Sequence, residues 1–74
     1  MRFGAIINRM RWERRWTLQD LARFTGMHAT HLGILERGGN MPTLATILKL
    51  AEVFGVEAWS LVREIEEQRR APHT

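Results

Sequence analysis

Apolar residues recur at helical spacing along most of the chain, and this pattern predicts five helices. The first covers about residues 2–14, where Phe3, Ile7 and Met10 lie on one stripe with Ile6 beside it. No segment keeps the alternation of period two that is typical of strands. We therefore expect an all-α fold.

The second and third helices are predicted at about residues 18–25 and 28–37. Thr17 and Asp20 have the spacing of a capping box, in which each side chain accepts a free backbone N–H at the helix start. Gly26 suits the left-handed conformation that ends a helix. The buried side chains of these two helices are predicted to be Leu21, Ala22, Leu32 and Leu35.

The fourth helix should follow Pro42 with Thr43 as its cap and end at Gly55. Its predicted buried face consists of Leu44, Ile47, Leu50, Ala51 and Phe54. The fifth helix is predicted at about 57–68, with a stripe formed by Ala58, Leu61, Val62 and Ile65. We expect one domain over residues 1–68 and a flexible tail over 69–74.

A chain of 74 residues without cysteine must stabilise a small core without disulfides. Oligomerisation is the remaining common source of stability, so we look for an interface. There is neither an apolar run long enough to span a membrane nor a secretory signal pattern at the N-terminus. These features favour a cytoplasmic protein.

Positive charge is concentrated in the first half of the chain. Residues 1–37 hold seven arginines against three acidic residues, a balance of +4, whereas residues 38–74 hold four basic residues against five glutamates, a balance of −1. A basic half suits a polyanion such as nucleic acid. On charge alone, an ordinary solvated surface explains the arginines equally well.

Residues 17–36 are predicted to form two short helices joined by a tight turn with a glycine, which is the arrangement of a helix-turn-helix unit. In such a unit the second helix, here 28–37, lies in the major groove and its first residues reach base edges. Many helical hairpins never contact DNA, so this spacing alone leaves the function open.

Several motifs at fixed mutual spacing are more specific. They are Thr17-Leu-Gln-Asp-Leu-Ala22, Thr25-Gly-Met27, Leu35-Glu-Arg-Gly38, Pro42-Thr-Leu44, Leu48-Lys-Leu-Ala-Glu52 and Gly55-Val56. Together they resemble the lambda Cro/repressor-type helix-turn-helix family over residues 3 to about 62. The run 32–38 and the small size also resemble the controller proteins of restriction–modification systems.

This resemblance implies a five-helix lambda-repressor-like domain that binds double-stranded DNA as a dimer and needs no cofactor or metal. By position, the base-reading residues would be His28, Ala29, Thr30, His31 and Ile34. The phosphate-binding residues would be Thr17, Leu18, Arg37, Asn40 and Thr43. Relatives often join the first and third helices by an ion pair, here Arg11 with Glu36.

The three tryptophans suggest where a dimer forms. Trp16 precedes a cap residue and is expected to pack on the core. Trp59 lies beside the stripe of the fifth helix, and exposed tryptophans are enriched in interfaces. The predicted dimer interface consists of Leu48, Val53, Trp59, Val62 and Ile65. The role of Trp12 stays open.

The chain departs from the family pattern at three places. Leu18 stands where relatives usually have a glutamine that opens the second helix, and Arg15 stands where many have glycine. On the third helix, Ala29, Gly33 and Ile34 replace the long polar side chains that read bases. Without a bidentate contact to guanine or adenine, we expect weak or shape-led sequence preference.

Two function classes remain after these observations. The first is a dimeric DNA-binding repressor or activator, and the second is a protein-interaction or antitoxin-like module on the same fold. An enzyme is disfavoured because the chain has one serine, one lysine, one aspartate and no cysteine or tyrosine. His28 and His31 lack a third ligand for a metal, and no small-molecule substrate is expected.

Overall fold

The computed structural model describes residues 3–69, except for the side chain of Arg69, and five helices account for most of them. They are α1 (Phe3–Glu13), α2 (Leu18–Thr25), α3 (Ala29–Glu36), α4 (Leu44–Phe54) and α5 (Ala58–Arg69). There is no strand in this part of the chain, so the predicted all-α, five-helix fold is confirmed. Helix α5 continues through Arg69, and the rest of the predicted tail lies outside the described residues. No helix between residues 3 and 69 has the length and hydropathy needed to span a membrane.

The helix boundaries follow the capping residues that the sequence predicts. At α2, Asp20 N donates to Thr17 Oγ1 at 3.0 Å and Thr17 N donates to Asp20 Oδ2 at 2.9 Å, which is a complete capping box. Gly26 ends α2 with a φ of 75°. At α4, Thr46 N donates to Thr43 Oγ1 at 3.1 Å. The predicted starts of α2 and α4 are confirmed.

One apolar core joins all five helices, and its buried members are Phe3, Ile6, Ile7, Met10, Leu21, Leu32, Leu35, Leu50, Ala51, Phe54, Leu61 and Ile65. Leu44 was predicted to belong to this core, but 66% of it is exposed. The prediction was wrong because the fully buried residues of α4 begin at Leu50, and Leu44 is the first residue of the helix.

The first helix approaches the end of the third more closely than most side chains would allow. A Cβ atom added to Gly4 would overlap the backbone carbonyl groups of Leu35 and Glu36. Gly4 is therefore required for the contact between α1 and α3. This contact fixes the position of α3, on which the predicted DNA-reading residues lie.

The turn between α1 and α2 adopts an unusual backbone conformation. Arg15 has a φ of 59°, in the left-handed region that glycine adopts most easily. The turn is closed by Arg15 N donating to Trp12 O and by Trp16 N donating to Arg11 O. The Trp16 ring is half-buried and packs on Phe24 and Phe54, as expected for a core-adjacent residue.

Candidate nucleic-acid interface

The outer face of α3 carries the residues that the sequence assigns to base reading. Leu32 and Leu35 are buried, and this fixes the face that α3 turns toward the core. Three of the five predicted base-reading residues are exposed, namely His28, Thr30 and His31. The other two, Ala29 and Ile34, are half-buried. His28 is the N-cap residue of α3, yet its side chain makes no capping hydrogen bond. Its imidazole is therefore free to contact a ligand.

A buried ion pair anchors the end of α3 to α1. Arg11 Nε donates to Glu36 Oε2 at 2.7 Å, and Arg11 Nη2 donates to Glu36 Oε1 at 3.0 Å. The structure thus brings together the two residues expected to pair. The hydrogen bond to Glu36 raises the pKa of Arg11 above its usual value; burial opposes this rise, and the negative charge of Glu36 adds to it. Arg11 is therefore held in its charged form.

Two further hydrogen bonds extend this anchor. Asn8 Nδ2 donates to Glu36 Oε1 at 2.8 Å, and Arg11 Nη1 donates to the carbonyl oxygen of Trp16 at 2.8 Å. The role of Asn8 was missed from the sequence, although its position three residues before Arg11 places both on one face of α1. Through Arg11, the α1–α2 turn and the end of α3 are fixed relative to each other.

Arg37 lies where α3 meets the start of α2. Its Nη1 atom is 3.3 Å from the point where a Cβ of Gly33 would lie, and Leu18 Cδ1 is 3.7 Å from the same point. Gly33 therefore leaves room for the guanidinium group beside Leu18. The side chain of Arg37 is exposed and makes no hydrogen bond or ion pair within residues 3–69. It is available to an external anion.

The other predicted phosphate-binding residues lie at helix starts and in the α3–α4 connection. Thr17 and Thr43 are exposed, and their hydroxyl oxygens already accept capping hydrogen bonds. Leu18 is half-buried against the core and offers only its backbone N–H, which has no acceptor within the helix because Leu18 is the first residue of α2. Asn40 is exposed in the connection.

The predicted dimer residues are not equally accessible. Leu48, Trp59 and Val62 are exposed, and Val53 is half-buried against the core. Ile65 is only 9% exposed and belongs to the core of its own protomer. Its assignment to the dimer interface was therefore wrong, since its side chain is already buried in the apolar core. A shallow groove on α5 is lined by Trp59, Val62, Arg63, Glu66 and Glu67.

No three histidine, aspartate or glutamate side chains between residues 3 and 69 lie close enough together to hold a metal ion.

Comparison with known proteins matches the helix-turn-helix family to residues 7–58 of this chain. An uncharacterized HTH-type transcriptional regulator of Mycobacterium tuberculosis is 40% identical over 53 residues, which are 72% of this chain and 21% of the relative. The HTH-type transcriptional regulator SutR of Escherichia coli K12 is 40% identical over 48 residues, 65% of this chain and 27% of that protein. The chain thus spans only about a fifth to a quarter of the length of these relatives.

A relative of similar size comes from Sinorhizobium fredii, an uncharacterized HTH-type transcriptional regulator that is 33% identical over 64 residues. That match covers 86% of this chain and 83% of the relative. Among solved structures, the restriction-modification controller protein C.AhdI of Aeromonas hydrophila superposes with a TM-score of 0.76 and 30% identity. The superposition covers 81% of this chain and 91% of that protein.

Proposed function

This chain belongs to the helix-turn-helix family of DNA-binding transcriptional regulators, and from that premise we propose that it binds double-stranded DNA as a homodimer with α3 in the major groove. The observation that carries this proposal is the outer face of α3. It presents exposed polar side chains at its start and an unpaired arginine at its end. In the helix-turn-helix geometry, these positions meet base edges and backbone phosphates respectively.

Base reading in this proposal depends on small contacts. Thr30 can donate or accept a hydrogen bond, and His28 and His31 can do so through their ring nitrogens. Ala29 and Ile34 are apolar and suit contact with thymine methyl groups. Each bidentate pair that is missing removes roughly 1–3 kcal/mol of discrimination between bases. We infer a modest sequence preference, supported partly by DNA shape.

Phosphate binding provides most of the affinity in this proposal. Arg37 supplies a positive charge beside α2, while Thr17 and the backbone N–H of Leu18 supply donors at the start of the same helix. Asn40 and Thr43 supply polar groups after α3. Hydrogen-bond donors at helix starts and unpaired arginines are the groups that proteins commonly direct at phosphate oxygens.

Dimerisation is supported by the exposed apolar residues of α4 and α5. Trp59 is 63% exposed and Val62 is also exposed, and both line the shallow groove on α5; Leu48 is exposed on α4. Large exposed aromatic side chains next to aliphatic ones are typical of interfaces. A two-fold dimer would place two copies of α3 about one turn of DNA apart.

The test is the salt dependence of binding to a labelled duplex of mixed sequence, measured by fluorescence anisotropy. Phosphate-dominated binding predicts that log K falls linearly with log salt, with a slope of about −0.9 for each phosphate neutralised. We expect measurable binding at about 50 mM salt and a loss of 10-fold or more by about 200 mM.

Absence of duplex binding at about 50 mM salt would contradict the proposal, because non-specific phosphate contacts alone should be detectable there. That result would favour the alternative of a protein-interaction module. The half-buried apolar residues Ala29 and Ile34, which lie among the predicted base-reading positions of α3, are the feature that suits such a module.

A further inference from the structure

Most of the positive side chains that the structure describes lie beside a carboxylate. The structure describes eight arginine and lysine side chains, and six of them lie within ion-pair distance of an acidic residue. The two exceptions are Arg15 and Arg37. Both are exposed. The free positive charge in the described part of the chain is therefore concentrated on these two side chains.

The side chain of Arg15 takes no part in holding the described fold together. Within residues 3–69 its side chain makes no hydrogen bond, no ion pair and no contact with an aromatic ring. Its backbone nevertheless has a φ of 59°, and it is the one residue other than glycine with positive φ in the described part of the chain. An L-residue in this conformation is strained, and such strain often marks a functional position.

Arg15 and Arg37 are positioned by the same buried guanidinium group. Arg11 Nη1 binds the carbonyl oxygen of Trp16, the residue after Arg15. Arg11 Nε binds the carboxylate of Glu36, the residue before Arg37. The backbone next to each free arginine is thus tied to Arg11.

Both free arginines also lie near the first turn of α2. Arg15 precedes the cap residue Thr17 by two positions, and the guanidinium of Arg37 lies beside Leu18. The side chain of Leu18 is apolar, so any positive charge in this region must come from its neighbours.

We propose that Arg15 is an additional phosphate-binding residue, which acts together with Arg37 on the backbone of duplex DNA. This inference rests on the proposed function, because it requires that the protein binds DNA through the α2–α3 surface. Contact with a phosphate carries no base information, so Arg15 raises affinity for all duplexes alike.

The test compares the salt dependence of duplex binding in the parent protein, Arg15→Gln, Arg15→Lys and Arg9→Gln. The probe is one labelled mixed-sequence duplex of about 30 base pairs, long enough for two half-sites one turn apart. Arg9→Gln is the matched control, because Arg9 is exposed but already pairs with Glu13 and Glu64. Circular dichroism establishes that each variant is folded.

We expect Arg15→Gln to weaken binding several-fold at about 50 mM salt and to reduce the magnitude of the slope by about 0.9 for each protomer bound. Arg15→Lys should retain the parent slope, because it retains the charge. Arg9→Gln should also retain it. A slope for folded Arg15→Gln equal to that of the parent would overturn this inference and leave the proposed function intact. A parent protein that does not bind the duplex would overturn both.

Discussion

Arg11 and Glu36 share two hydrogen bonds across the contact between α1 and α3, and the exposed fractions of their side chains are only 9% and 8%. This pair joins α1 to the end of the helix that is proposed to enter the major groove. It fixes the end of α3 directly, and it fixes the α1–α2 turn through Trp16 O. The orientation of α3 therefore depends on a charge pair as well as on apolar packing.

Removing one partner of this pair should be severely destabilising. Arg11→Met leaves the Glu36 carboxylate buried, with Asn8 as its only remaining hydrogen-bond donor within residues 3–69. The expected loss is about 3–5 kcal/mol in the free energy of unfolding. A domain of this length has only about 4–11 kcal/mol in total. Urea unfolding followed by circular dichroism measures the loss.

Arg9→Met is the control for this prediction, because Arg9 makes exposed ion pairs on the same helix and should cost at most about 1 kcal/mol. The double variant Arg11→Met/Glu36→Leu should recover part of the stability by removing the unpaired carboxylate. Equal losses for Arg11→Met and Arg9→Met would contradict the role given to the buried pair.

Helix positions could be predicted from the sequence because their determinants are local. Helix starts are predicted by the capping residues Thr17, Asp20 and Thr43, and the spacing of apolar residues predicts the buried faces. Leu44 could not be placed correctly, because its exposure depends on how far the neighbouring helices extend along α4. The close approach of Gly4 to the end of α3 could not be predicted either, since the sequence does not show which backbone lies against a glycine within a helix.

The capping box makes stability depend on acid pH. The backbone hydrogen bond from Thr17 lowers the pKa of Asp20 below its usual value of 3.8, and the nearby charge of Arg23 acts in the same direction. A lowered pKa means that the stabilisation is present above pH 3.8 and is lost as the pH falls through the lowered value. Asp20→Asn should therefore have a lower Tm than the parent above about pH 5, and the difference should vanish toward about pH 2.

Thermal unfolding between these pH values tests this dependence. Thr17→Ala is the comparison, because the hydrogen bond from Asp20 N to the Thr17 hydroxyl does not titrate; its loss should cost about 1 kcal/mol with little change across the range. A Tm difference between the parent and Asp20→Asn that does not change with pH would show that the Asp20 carboxylate is not the titrating group.

The strained turn predicts an unusual stabilising substitution. Arg15→Gly removes an L-residue from a φ of 59°, where it costs about 1–2 kcal/mol relative to glycine. The greater freedom of glycine in the unfolded chain offsets roughly 0.5–1 kcal/mol of this gain. The net gain is at most about 1.5 kcal/mol, which corresponds to a Tm rise of at most roughly 6–12 °C. Arg15→Ala loses the same charge but keeps the strain, so a similar rise for that variant would refute the backbone explanation.

The interface residues could be predicted only in part. The spacing on α3 correctly separated its outer face from the buried Leu32 and Leu35, because helical periodicity determines it. Ile65 was misassigned, since the spacing on α5 does not show which residues of its apolar stripe the other helices bury. The sequence could not show that Arg15 and Arg37 lack a carboxylate partner within residues 3–69. Which carboxylates pair with the other arginines depends on the three-dimensional structure.

Trp59 should be essential for the proposed dimer. Trp59→Arg places a charge beside Val62 on the exposed face of α5, and burying that charge in an interface without a partner would be costly. We expect the parent to sediment at twice 8.6 kDa and the variant at 8.6 kDa. Trp12→Arg is the control, because Trp12 is 64% exposed but lies on α1. A dimer of Trp59→Arg would exclude this surface, and a monomeric parent would exclude the dimer.

Thr30 and Arg37 should separate the reading of bases from the binding of phosphates. Thr30 is exposed near the start of α3, where its hydroxyl can reach a base edge, whereas Arg37 follows the last residue of the helix. Arg37→Ala should weaken binding to all duplexes about equally and reduce the salt slope by about 0.9 for each protomer. Thr30→Ala should leave the slope unchanged and alter preference at one position by roughly 0.5–1.5 kcal/mol, the value of one hydrogen bond.

Selection of bound duplexes from a random pool, carried out with each variant, measures the change in preference, and repeating the binding at several salt concentrations measures the change in slope. If Thr30→Ala selects the same sequences as the parent while the parent itself shows a preference, another residue of α3 must read that base pair, and His31, one position further along the helix, is the next to test.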